Sequence, residues 1–168
     1  MPFLLLAAVV LYFISQQKLN PTSEEGGDMS QTDTWKQTHP DIIAWHAKAE
    51  ADLGMSIGIV STTRSLAEQA DIYSWGRTTQ NPYSPSTAEN PLGITATNAM
   101  PGQTAHNPRS DGYSHAVDFK PGNMTVFDYT AMGAHAEANG LVWGGRFLVS
   151  GKPDYAHIET KFWRNVKP

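Results

Sequence analysis

Between Thr97 and Phe119 the chain reads TNAMPGQTAHNPRSDGYSHAVDF, and this stretch narrows the fold more than any other. Its first part is crowded with Gly, Pro, Asn and Ser, residues that favour turns over the interiors of regular elements. Gly102 to Asn107 reads as a turn leading into an extended segment. The pattern predicts a strand over Ser114–Phe119, closed by Lys120-Pro121-Gly122. His106 is thus set on a turn and Asp118 on a strand.

The neighbouring segments read as short elements of both kinds. Pro40 to Leu53 is predicted helical, with Pro40 in the first turn, Asp41 complementing the dipole, and Gly54 as the stop. Ile42, Ile43, Trp45 and Ala49 recur along it at roughly helical spacing. Met55–Thr62 is rich in β-branched residues and predicts a strand. Ser65 and Glu68 form a capping-box pattern for a helix with Leu66, Ala70 and Tyr73 as its apolar stripe, ending at Gly76. Arg64 falls at that strand-to-helix junction, from which a side chain can reach a cleft. Thr79–Thr95 reads as a long loop framing that cleft. Val126–Asn139, with Phe127, Tyr129, Met132 and Ala136, predicts another helix closed by Gly140. Leu141–Gly145 predicts a strand and tight turn, and Asp154–Glu159 a last short strand. Helices interspersed with short strands, without a regular βαβ rhythm, point to an α+β domain with a small antiparallel sheet flanked by helices.

At 168 residues the chain suits one domain with a short appendage. Met1–Ile14, MPFLLLAAVVLYFI, is apolar and uncharged, shorter than the ~20 residues of a comfortable membrane span. Residues 1–19 are therefore expected to be an N-terminal membrane anchor or signal segment. Residues 20–34, rich in Gly, Ser, Thr and acids, are expected to be a flexible linker, and residues 35–168 the folded domain. This places the domain against a membrane or exported. The net charge of −4, without a basic cluster, argues against nucleic acid as a partner. There is no cysteine, so disulfides, thiolate catalysis and thiolate metal sites are excluded. Any metal must rely on His, Asp and Glu.

Six histidines offer several ligand sets. Two imidazoles and a carboxylate are the usual protein share of a catalytic zinc site, and His106, Asp118 and His157 can supply them, with Asp154 as a base. His115 and Asp118 are another pair, but residues three apart on a strand point to opposite faces. Asp154 and His157 meet the same objection as co-ligands unless Asp154 lies on a preceding turn. Asp111, in a loop, can bind a second ion or nothing. His46 and His135 read as packed or surface residues.

Five ordered motifs narrow the choice: Arg64-Ser65-x-x-Glu68-Gln69 with Gly76-Arg77-Thr78; Thr97-Asn98-Ala99-x-x-Gly102-Gln103-Thr104-x-His106-Asn107; Ala116-Val117-Asp118; Gly140-Leu141-x-Trp143-Gly144-Gly145; and Asp154-x-x-His157-x-Glu159. Together they resemble zinc peptidases of the D-alanyl-D-alanine carboxypeptidase type, and within them phage endolysins that act as L-alanyl-D-glutamate peptidases. The resemblance covers about Arg64 to Glu159. It implies the fold that these peptidases share with the hedgehog signalling domain. It implies zinc bound by His106, Asp118 and His157, with Asp154 as general base. Arg64 would stabilise the oxyanion or grip substrate, and Thr104 would contact substrate. The implied substrate is the peptidoglycan stem peptide. A D-alanyl-D-alanine carboxypeptidase and a non-catalytic, metal-stabilised module are the alternatives. The chain departs from the family where His106 and Asp118 stand twelve positions apart rather than seven, as if Pro108–Gly112 were inserted, and where Ser114 replaces a glycine.

Overall fold

The computed structural model describes residues 31–81, 93, 95–147 and 153–168. The expected anchor at 1–19, most of the expected linker and most of the predicted loop at 79–95 lie outside them. Gln31–Lys36 is a short helix, α1, so the last expected linker positions, Gln31 to Thr34, are helical. No helix among the described residues is long and apolar enough to cross a membrane.

Helix α2 spans Pro40–Leu53, as its sequence signals predict. His39 caps it by accepting the Asp41 N–H, and Gly54 ends it at φ 61°, a left-handed conformation that costs glycine little. Its buried residues Ile42, Trp45 and Ala49 form one stripe. Strand β1 is Ile57–Ser61 and helix α3 is Leu66–Ser74, the latter opened by the reciprocal Ser65–Glu68 capping box. The predicted stripe of α3 is corrected here. Leu66 and Ala70 are exposed, and the residue that α3 buries is Gln69.

Strand β2 runs Ala116–Pro121, and helix α4 spans Val126–Ala138 behind a Thr125–Asp128 capping box. Tyr129, Met132, Gly133 and Ala136 face inward. Phe127, expected among them, is 79% exposed because it sits two residues, about half a turn, from Tyr129. Strand β3 (Leu141–Trp143), a 3-10 turn (Gly144–Arg146), strand β4 (His157–Thr160) and a final 3-10 turn (Trp163–Asn165) complete the domain. Trp143 packs flush on α4, where a Cβ on Gly133 would lie 2.0 Å from the indole.

The strands form one antiparallel sheet in the order β1-β2-β4-β3. The expected α+β architecture with a small antiparallel sheet is therefore present. Alternation along the strands divides it into two faces. Val117, Phe119 and Ile158 join Ile42, Trp45, Met132 and Ala136 in the main core beneath α2 and α4. Ala116 faces the other way, into a smaller cluster with Ala105 and Trp163. Asp118, two residues on from Ala116, shares that second face, and so does the site built around it.

Candidate metal centre

Asp118 on β2 and His157 on β4 are directly opposed in the antiparallel register, as are Ala116 and Glu159. Opposed residues project to the same face of a sheet, so the pairing places all three polar side chains on the face away from the main core. His157 Nδ1 lies 3.1 Å from Asp118 Oδ1. His157 Nε2 lies 3.1 Å from Glu159 Oε2, so the ring donates Nε2–H to the Glu159 carboxylate and turns Nδ1 toward Asp118. His106 arrives from the turn before β2, with Nε2 3.4 Å from Asp118 Oδ1. Its Nδ1 is 2.8 Å from the Thr62 carbonyl oxygen, which can only accept a hydrogen bond. Nδ1 therefore carries the hydrogen and Nε2 presents its lone pair to the site. His106, Asp118 and His157 are buried, and each offers a ligand atom within 4.8 Å of the others. Such a group could hold a metal ion, with Thr62 and Glu159 orienting the two imidazoles from behind.

The surrounding motif residues tie the turn of His106 to the start of α3. Arg64 donates its backbone N–H to the His106 carbonyl at 2.9 Å. Asn107 returns its amide N–H to the carbonyls of Arg64 and Ser65, and accepts from Gly102 N–H. Arg64 Nη2 donates to Asp118 Oδ2 at 2.9 Å, and its Nε donates to the Ser61 hydroxyl. The second carboxylate oxygen of Asp118 is thus held while Oδ1 faces the imidazoles. Thr104, expected at the substrate, accepts the His106 backbone N–H with its hydroxyl.

Asp154 stands outside the trio, on the turn preceding β4. The predicted strand over Asp154–Glu159 begins only at His157. Asp154 N–H donates to the Gly144 carbonyl, and His157 N–H donates to the Asp154 carbonyl, which closes a turn in place of a ladder. Gly144 permits this approach. A Cβ there would lie 2.5 Å from the Asp154 carbonyl oxygen and 2.8 Å from His157 Cβ.

The charges are strongly coupled. Burial opposes ionisation of Asp118, yet His106, His157 and Arg64 together hold its carboxyl well below the usual range. Burial also opposes the charged form of His157. Hydrogen bonds to Asp118 and Glu159 outweigh it and push the imidazole up to about 10. His106 is pushed down, by burial first and by Arg64 second, against the pull of Asp118, so it is the neutral partner. Asp154 keeps solvent contact, but lost hydration and the Asp118 charge raise its carboxyl, against the pull of His157 and Arg64. Glu159 loses hydration too, but its bond to His157 brings it below its ordinary value. Tyr129 is pushed up to about 12 by burial and by the charges of Asp154 and Asp118.

The structure thus brings His106, Asp118 and His157 together, with Arg64 on Asp118 and Asp154 within electrostatic reach. His115 turns away to Asp111 and Thr160. His46 bonds the Ile57 carbonyl and stacks on Phe119, and His135 accepts from the Trp45 indole. Sequence reasoning assigned no site role to Glu159, Asn107 or the Thr62 carbonyl. Only Glu159 carried a usable signal, its place two residues beyond His157 on one strand face.

The chain matches no protein-family model and no curated protein sequence. What fold and site define together is an α+β domain whose sheet carries a buried His/Asp/His group suited to a metal ion.

Proposed function

We propose that this chain is a zinc-dependent peptidoglycan hydrolase that cleaves the peptide stem, as an L-alanyl-D-glutamate endopeptidase of the phage-endolysin kind. The reading includes the peptidase fold named above and a domain facing the cell wall, anchored or exported through its N-terminal segment. The observation that carries it is the convergence of His106, Asp118 and His157, with Asp154 beside them and protonated more readily than an ordinary aspartate.

Two imidazoles and one carboxylate suit zinc and leave a position for water. Bound there, zinc would supply a water acidified toward pH ~7 and a Lewis acid for the scissile carbonyl. Glu159 and the Thr62 carbonyl fix which nitrogen each imidazole presents. Asp118 is kept ionised by Arg64 and by both histidines. Asp154, with its raised carboxyl, is suited to take a proton from water and to give it up to a leaving amine. Arg64 keeps a positive charge at the site, where negative charge would build on the substrate oxygen.

The test is digestion of purified peptidoglycan with the full chain, with and without a chelator, followed by mass spectrometry of the new termini. New L-alanine carboxyl and D-glutamate amino termini, lost on chelation and restored by zinc, are the expected result. Release of free D-alanine would mark the carboxypeptidase alternative. Zinc binding without any new terminus would mark a non-catalytic module.

A further inference from the structure

The zinc peptidase reading leaves a second group of metal-ligating side chains unused. His39, Asp111 and His115 also offer ligand atoms within 4.8 Å of one another. They come from two separate parts of the chain. His39 caps α2, Asp111 lies on the turn between the first predicted ligand and β2, and His115 immediately precedes β2. His115 is buried, and its Nε2 lies 3.0 Å from Asp111 Oδ2. Two ligands on tetrahedral zinc, each ~2.0–2.1 Å from the ion, stand about 3.3 Å apart, so this separation needs almost no adjustment. The rings of His39 and His115 lie 4.8 Å apart between centroids.

The outer contacts also suit a ligand role. His115 Nδ1 lies 2.9 Å from the Thr160 hydroxyl, an acceptor for an Nδ1–H that leaves Nε2 free to ligate. His39 Nδ1 faces both the Asp41 backbone N–H at 3.3 Å and the Asp41 carboxylate at 3.7 Å. A cation on Nε2 requires the hydrogen on Nδ1, so ligation would exchange the bond from the Asp41 N–H for the Asp41 carboxylate. Asp111 Oδ1 accepts the Tyr113 N–H, which holds its carboxylate in place. Burial keeps the His115 imidazole below its ordinary value, against the pull of Asp111, and so favours its unprotonated form.

We propose that His39, Asp111 and His115 form a second, structural site for a divalent transition cation of the zinc class. A cation there would clasp the start of α2 to the 108–112 turn and to the edge of β2. It would reinforce the backbone links His39 N–H to Ser114 O and Ser114 N–H to Gln37 O, both 2.8 Å. His115 also donates its N–H to Ala105 O at 2.7 Å, so the clasp steadies the segment next to His106. In a chain without cysteine, such a clasp does what a disulfide does in other small domains. The inference does not depend on hydrolytic activity.

The experiment is zinc titration of the chelator-stripped full chain against a competing chromophoric chelator, with elemental analysis of the loaded protein. The wild type should take up two equivalents. Asp111→Asn and His39→Ser should each fall to one, serine being chosen because it still caps a helix. Asp118→Asn should also fall to one, and combined with Asp111→Asn it should take up none. A wild-type equivalent that Asp118→Asn abolishes and Asp111→Asn leaves in place, with no second one bound, overturns the proposal. So does retention of both equivalents in either Asp111→Asn or His39→Ser. Asp111 is a third exposed on a loop, so its variant reads the site without disturbing folding.

Discussion

Asp118 and His157 are directly opposed on neighbouring antiparallel strands, with His157 Nδ1 3.1 Å from Asp118 Oδ1. Arg64 Nη2 also donates to that buried carboxylate at 2.9 Å, and His106 turns its Nε2 toward the oxygen that His157 faces. Asp118→Asn should therefore lose the metal at this site and, by stranding buried charge, cost about 3–5 kcal/mol in the metal-free protein. Denaturant melts and zinc analysis check both halves. Zinc affinity equal to wild type would remove Asp118 from the ligand set.

Asp154 and His157 are only three residues apart but hold different positions, one on a turn and one on a strand. Asp154→Asn should keep zinc and lower hydrolysis by about 10²–10⁴-fold, the usual share of a general base. His157→Ala should lose zinc and activity together. Undiminished turnover in Asp154→Asn would end its assignment as the base.

Glu159 touches His157 from behind, 3.1 Å from Nε2. Glu159→Ala should weaken zinc binding at this site about 10–100-fold, as expected for a group that orients a ligand. Competitive zinc titration reads this directly. An unchanged affinity would show that His157 needs no such support.

Gly144 lies where a methyl group would meet the Asp154 carbonyl oxygen at 2.5 Å. Gly144→Ala should push the Asp154 turn away from β4 and cost about 1–3 kcal/mol, the usual range for overpacking. Activity should fall further than zinc affinity, because the turn carries the proposed base. Thermal melts with parallel activity assays test this, and a variant with wild-type activity would refute the tight fit.

The metal-free site should respond to pH through His157. Its folded-state value of about 10 lies above the ordinary value near 6.5. The stabilisation it gives is therefore fully present below pH ~6.5 and lost as pH rises through about 10. A metal at Nδ1 displaces that proton, so zinc affinity should climb over this window by about tenfold per unit for one proton. The gap between melting temperatures with and without zinc should widen from pH 6.5 to 9. A constant gap would mean that no proton leaves.

Local order was legible in the sequence. Pro40, Gly54 and the Ser65–Glu68 box mark helix ends through backbone groups within a few residues, so α2 and α3 begin where their signals stand. Helix faces were read less well. Gln69 is buried because its amide reaches the Ala99 carbonyl thirty residues away, and Phe127 is exposed because nothing among the described residues covers that side of α4. Neither fact leaves a trace in local spacing.

The same division holds for the site. The absence of cysteine left histidines and acids as the candidate donors, and the resemblance carried by the ordered motifs singled out His106, Asp118 and His157 among them. Their meeting depends on the Asp118–His157 register, which a slip of one residue would turn to opposite faces of the sheet. Tertiary structure alone decided that Arg64 grips Asp118 and that His39 comes within reach of Asp111 and His115. Such contacts join residues far apart in sequence or on opposed strands, and they exist only once the strands pair and the helices pack.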